Sequence, residues 1–290
     1  MMYKSGQKQI LLRFFAYKPA LLGLVILLAI SFSAILAPMV TAWDQNQTDT
    51  LKLRNSPSSE HLLGTDDVGR DIFTRLLYAS RISLLVGLFS MLIQILAGVT
   101  LGLISGYLGG IFDALICRVV DFIMCFPFFV IIMFIVSITG PGMWKLIFII
   151  GLLSWPSVTR IVRNEVLQIR KNDFVVSAKA MGLNSFEIIS RHILPNIMAP
   201  ILIASSQAVA RGILTEASMS FLGIGIVPPT PSWGNMLTAA SNITTLKYQW
   251  WIYLPPAIMV ILTTISINLI AAGLQRFLSP QKLFKKENGR

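Results

Sequence analysis

The chain has 290 residues, of which 54% are hydrophobic and 13% charged, with a net charge of +11. A soluble domain carries about twice that charged fraction, and so few charged side chains cannot clothe a globule of this size, which excludes a soluble enzyme and a disordered chain. The composition is that of a multi-span membrane protein, and the basic excess, gathered between apolar runs, belongs with membrane orientation and not with nucleic-acid binding.

About 20 apolar residues cross the hydrocarbon layer as a helix, and stretches free of charge predict six such spans. The first lies in 19–43, with an apolar core at Ala20–Val40. That core exceeds the apolar region of a signal peptide, about 7–15 residues, so it is expected to be retained. In the loop 44–81, Gly64, Thr65, Asp66 and Gly69 read as turns opening an amphipathic helix over Asp71–Leu77. Arg70, Arg75 and Arg81 are expected to pair there with Asp66, Asp67 and Asp71. The second span falls in 82–112, best from Ile82 to Leu108, and the third in 122–144, starting before Asp121. The fourth begins in the short uncharged stretch 146–159 and continues if Arg160 and Arg163 reach out to the interface. The fifth lies in 192–210 and the sixth in 248–275, its end marked by Tyr248, Trp250, Trp251 and Tyr253, aromatic residues suited to the membrane boundary. Residues 217–246, with Pro228, Pro229, Pro231, Asn235 and Asn242, read as a structured loop.

With the N-terminal tail inside, inner segments collect 16 of the 24 Lys and Arg residues. The positive-inside bias then places both termini and 160–191 in the cytoplasm, with 44–81 and 211–247 facing out. In the inner loop, Asp173 is expected to cap a helix over Phe174–Met181, and Gly182 suits the left-handed position that ends it. Asn184 and Glu187 resemble a capping box opening a second helix that runs into the fifth span. Ala178 and Gly182 are small enough to admit the surface of another protein.

An energy source is not visible in this chain. No phosphate-binding G-x-x-x-x-G-K-[ST] loop occurs, and no Cys/His cluster has metal-ligand spacing. His61 and His192 stand alone in sequence, which favours a polar surface role for each. Asp121, Arg211 and Glu216 fall near predicted span ends. A carboxylate next to the apolar stretch Ala217–Val227 needs a partner to offset lost hydration.

Val176-Ser177-Ala178-x3-Gly182-x9-His192-Ile193-Leu194-Pro195 resembles the EAA loop of bacterial ABC importer permeases. The outer segments His61-Leu62-Leu63-Gly64-Thr65-Asp66-x2-Gly69-Arg70-Asp71 and Glu216-Ala217-Ser218-Met219-Ser220-Phe221-Leu222-Gly223 resemble the C-type permease of the dipeptide/oligopeptide/nickel importers. So does Pro228-Pro229-Thr230-Pro231-Ser232-Trp233-Gly234-Asn235. Three positions depart from the family loop: Val176 stands at its acidic position, Ser177 at its first Ala, and His192 at the Ile of I-x-L-P.

The resemblance implies an all-α membrane protein of six transmembrane helices, with the type I ABC importer permease fold and both termini cytoplasmic, in a bacterial plasma membrane. Its expected sections are 1–81 (tail, first helix and outer loop), 82–279 (a five-helix core with the coupling loop 160–191) and 280–290 (a basic tail). It further implies half of a translocation pore for peptides or related small solutes, nickel complexes included, built with a homologous second permease. Two cytoplasmic ATP-binding subunits would carry ATP and Mg and perform hydrolysis, and an extracytoplasmic solute-binding protein would deliver the solute. This chain itself would bind no cofactor, metal or nucleic acid, only partners and lipid. The coupling residues pointed to are Val176, Ser177, Ala178, Met181, Gly182, Leu183 and Phe186. Arg211, Glu216 and Ser218 are placed at the pore or the permease interface, and Gly64, Thr65, Asp66, Gly69, Arg70 and Asp71 form the outer motif. Two alternatives stay open: a secondary transporter, which would need an essential intramembrane carboxylate, and a structural or assembly membrane protein.

Overall fold

The structure is a computed structural model that describes residues 17–278. Most of the N-terminal tail and the basic 280–290 segment lie outside the described residues. Regular structure among the described residues is helical, apart from one antiparallel bridge between Thr65 and Asp71. The helices are α1 (Lys18–Val40), α2 (Ile72–Leu108), α3 (Gly110–Met124), α4 (Phe128–Thr139), α5 (Met143–Ile169) and α6 (Asp173–Ala180). There follow α7, continuous over Ser185–Phe221, the short α8 (Trp233–Leu237) and α9 (Ile243–Tyr248), and α10 (Trp250–Leu278). Five of these are long and apolar enough to cross a membrane, and α3 with α4, bent by 82°, is apolar enough as a pair to bring the count to six if it crosses as one broken span.

Four spans differ from the sequence expectation, each for a visible reason. The second starts at Ile72, absorbing the expected separate helix over Asp71–Leu77, because Asp71 caps it and the Arg81 guanidinium is hydrogen-bonded to the carbonyls of Ala34 and Ile35. The third is broken rather than continuous, because Pro127 has no N–H to donate and disfavours helical backbone at the residue before it. The fourth runs on through Arg160 and Arg163, which pair with Asp121 and Asp113 of α3 instead of reaching out unpaired. The fifth is far longer than 192–210, so Arg211 and Glu216 lie inside it. Near its start, Ile188–Ile193 widens into a π turn and Leu194–Ile197 tightens into a 3₁₀ turn. Pro195 removes a helical donor there, and the Asn196 side chain donates to the His192 carbonyl at 2.6 Å.

Glycines let the long helices approach closely. Gly98, Gly102 and Gly106 of α2 sit directly against Val158, Val162 and Val166 of α5. A β-carbon at any of the three would lie 2.5–2.7 Å from the facing valine Cβ, so the stripe is filled by its neighbours. The constant offset makes α2 and α5 parallel. Gly87 against Ile213, and Ser83 against Glu216, make α2 and α7 antiparallel. Residues 41–71 and 222–249 therefore share one end of the bundle, and 170–187 lies at the other.

Candidate functional site

At the 170–187 end, α6 is stapled to the bundle by one face. Val175 and Ala178 are buried among Val162, Val166, Ile188 and Ile193. Ala178 is thus small for packing within the chain, not for admitting a partner. The expected cap by Asp173 is not made: Asn172 is the N-cap residue and Asp173 the first helical one, with Val175 N–H donating to the Asn172 carbonyl. Gly182 has φ +83° and ends the helix as expected. Its N–H donates to Lys179 O and that of Leu183 to Ala178 O, the double closure of a Schellman motif. Two residues on, Asn184 accepts from Glu187 N–H at 2.8 Å while the Glu187 carboxylate accepts from Asn184 N–H, so the capping box forms as read. These fixed turns hold Met181 79% and Phe186 78% exposed, with Phe174, Val176 and Ser177 also exposed and Leu183 half-buried. The result is a rigid apolar ledge with no cover from the described residues.

At the other end, Glu216 is completely buried. Its Oε2 accepts from Ser83 Oγ of α2 at 2.8 Å and its Oε1 from Ser220 Oγ at 2.7 Å. The same hydroxyls receive backbone N–H groups of the 222–249 segment, Trp233 N at Ser83 and Ile226 N at Ser220. Trp233 is itself fully buried, with Nε1 donating to Ser80 Oγ, and Asn235 donates to the carbonyls of Ile226 and Thr230. Glu216 therefore lies on neither a pore wall nor an outer surface. It ties the folded-back loop to α2 and α7.

The outer motif folds as a tight knot. Asp66 Oδ1 accepts from the N–H of Val68 and of Arg70, and its Oδ2 pairs with Arg70 Nε at 2.7 Å and lies 3.7 Å from Arg75 Nε. Thr65 is buried and accepts from Asn55 N–H. Gly64 and Gly69 both have positive φ, and at Gly69 a β-carbon would overlap the Asp49 carbonyl. Asp71 accepts from Thr74 N–H at 2.7 Å as N-cap and from His61 Nδ1 at 2.9 Å. His61 is buried and stacked on Trp43, contrary to the surface role read from its isolation, because the loop brings it ten residues back onto Asp71. Nearby, the half-buried Lys52 hydrogen-bonds the exposed Glu60 and holds that carboxyl below its usual range.

Arg211 and Ser218 face elsewhere. They line a cavity of about 450 Å³ between α3, α4, α5 and α7, whose wall also includes Gln94, Phe126, Phe129, Ser154, Ser157 and Thr215. A second cavity of about 640 Å³ follows along α5 and α7 toward the 170–187 end, lined in part by Glu165, Gln168, Asn196 and Gln207. The structure thus separates Glu216 from Arg211 and Ser218, which the sequence reading had grouped together. That reading also missed the Gly98, Gly102, Gly106 stripe, although its four-residue spacing is legible. It missed the Asp113–Arg163 pair, at 2.6 and 2.7 Å, which no sequence spacing reveals.

The membrane-length helices thus flank a largely apolar cavity that carries a few polar groups. Residues 98–283 match the family described as "Binding-protein-dependent transport system inner membrane component", and residues 7–57 match "N-terminal TM domain of oligopeptide transport permease C". The chain is 38% identical to the dipeptide transport system permease protein DppC of Alkalihalophilus pseudofirmus, over 91% of this chain and 86% of that one. It is 34% identical to the oligopeptide transport system permease protein OppC of Bacillus subtilis, over 94% of this chain and 89% of the relative. Its fold resembles a chain of the MetNI methionine ABC transporter in inward-facing conformations, with a TM-score of 0.56 and 15% identity, covering 72% of this chain and 96% of that one. The chain belongs to the binding-protein-dependent transport system inner membrane component family, and it is a multi-pass inner-membrane permease.

Proposed function

We propose that this chain is the C-type permease half of an ATP-driven importer of peptides or related small solutes. It pairs with a homologous second permease, receives solute from an extracytoplasmic binding protein, and is driven by two cytoplasmic subunits that hold ATP and Mg and carry out hydrolysis. The 170–187 end faces the cytoplasm and the 41–71 and 222–249 segments face out. The observation that carries this reading is the ledge around Gly182: Met181 and Phe186 are held out into solvent by two hydrogen-bonded turns. Large apolar side chains fixed in that way are a docking surface in search of a partner. Val176, at the acidic position of the family loop, makes the contact there apolar.

Alternating access follows if the ledge touches the nucleotide-bound and nucleotide-free ATPases differently, since only differential contact shifts an equilibrium. Because α6 packs through Val175 and Ala178 onto α5 and α7, its displacement is transmitted to the helices that line both cavities. Coexpression with the cognate second permease and ATPases tests the reading. Met181→Asp with Phe186→Asp is expected to leave this chain in the membrane while the ATPases no longer co-purify and tripeptide uptake is lost. ATPases that remain bound to the double variant, with uptake intact, would overturn it.

A further inference from the structure

Resting on the peptide-importer reading, we propose that Arg211 recognises the carboxylate of the transported solute inside the cavity between α3, α4, α5 and α7. Arg211 lies ten residues before Phe221 on α7, roughly 15 Å of helix rise in from the end of that membrane-length helix. An ionised group at that depth is costly unless it faces a partner or a water-filled path. Most other arginines along these helices have partners, the exposed Arg118 of α3 being an exception among the described residues. Arg160 pairs with Asp121 and Arg163 with Asp113, while Arg81 and Arg170 donate to backbone carbonyls. Arg211 makes no ion pair or hydrogen bond among the described residues, and it is exposed into the cavity. Glu216, five residues on, is turned away to Ser83 and Ser220.

The surroundings define the ligand. A guanidinium presents a planar fork of donors that matches a carboxylate in bidentate fashion. Ser157 and Ser218 donate to the carbonyls of Ser154 and Leu214 and keep acceptor lone pairs for peptide N–H groups, and Phe126 and Phe129 offer apolar wall for side chains. No second cation lines the cavity, so a monoanion is matched, whereas a doubly charged phosphate ester would remain half-compensated. At about 450 Å³ the cavity is within the range of small-ligand sites. The second cavity lies further along α5 and α7, with Glu165 as its acidic member.

The test uses the assembled transporter in lipid nanodiscs and a tripeptide bearing a benzophenone side chain, as the free acid and as the C-terminal amide. The acid is expected to label the cavity-lining segments of this chain more strongly than the amide. Arg211→Gln is expected to lower labelling by the acid roughly 10- to 100-fold, the worth of a charge-assisted hydrogen bond, and to leave labelling by the amide unchanged. Arg211→Lys, which keeps the charge but loses the fork, is expected to lower the acid-to-amide ratio severalfold, and it decides the matter if the glutamine variant does not assemble. An unchanged ratio in the assembled variants overturns the proposal. Equal loss of both probes also overturns it, because carboxylate recognition predicts loss of the acid alone. Uptake of the unmodified tripeptide by the wild-type transporter is measured in parallel. Uptake without Arg211-dependent labelling overturns the role of Arg211 alone, and absence of uptake removes the peptide reading together with it.

Discussion

Replacing Gly182 by valine perturbs the coupling ledge and almost nothing else. A β-carbon at Gly182 would meet no atom within 4 Å, so no steric clash enters. The cost comes from the backbone: φ of +83° places the residue in the left-handed region, where a β-carbon costs about 1–2 kcal/mol. If the turn relaxes to avoid that strain, the two closing hydrogen bonds to Lys179 O and Ala178 O are lost, each worth about 0.5–1.5 kcal/mol. Either way the local penalty is on the order of 1–3 kcal/mol, about a 5- to 150-fold shift away from the docking geometry. It is confined to an eight-residue helix held by one face, and does not unfold the bundle. The assay is membrane abundance by immunoblot, tripeptide uptake, and retention of ATPases on the purified chain. Gly182→Val is expected to show near-normal abundance with uptake lowered at least about fivefold. Gly182→Asn, which tolerates left-handed backbone, should retain more activity, and the exposed Lys179→Gln should change little. Normal uptake by Gly182→Val, or loss that merely follows loss of protein, refutes the reasoning.

At the α2–α5 contact, Gly102→Ala places a β-carbon 2.7 Å from Val162 Cβ and is expected to cost about 1–3 kcal/mol by overpacking. The double variant with Val162→Ala should recover part of the thermal stability of the purified complex, and strictly additive losses would contradict direct contact. Glu216→Ala leaves the Ser83 and Ser220 hydroxyls without their acceptor, at about 1–3 kcal/mol each, and should expose the 222–249 loop to protease and reduce uptake. Glu216→Gln keeps an acceptor oxygen and should do less, and wild-type uptake and protection in both would refute the hub. Asp71→Ala removes the cap of α2 and the His61 partner and should lower stability by about 0.5–2 kcal/mol, whereas Asp71→Asn, still able to cap, should lose less. Equal melting shifts would argue against a capping role.

The membrane class, five of the spans and the helix–Gly–helix element were legible in sequence, because each depends on local rules. Hydrocarbon thickness sets the length of an apolar run, and a glycine followed by an Asn-x-x-Glu box stops one helix and starts the next by hydrogen bonds within a few residues. The motifs also carried the family. Where a charged residue sits, however, was decided by its distant partner. Arg163 continues a span because Asp113 waits on α3, and His61 is buried because the loop returns it to Asp71. Glu216 and Arg211, five residues apart, face a serine-lined core and an open cavity respectively. A helix turns about 100° per residue, so two charges that look like one cluster in sequence point to different faces. Which face is packed and which is open depends on the neighbouring helices, and only the tertiary structure supplies those.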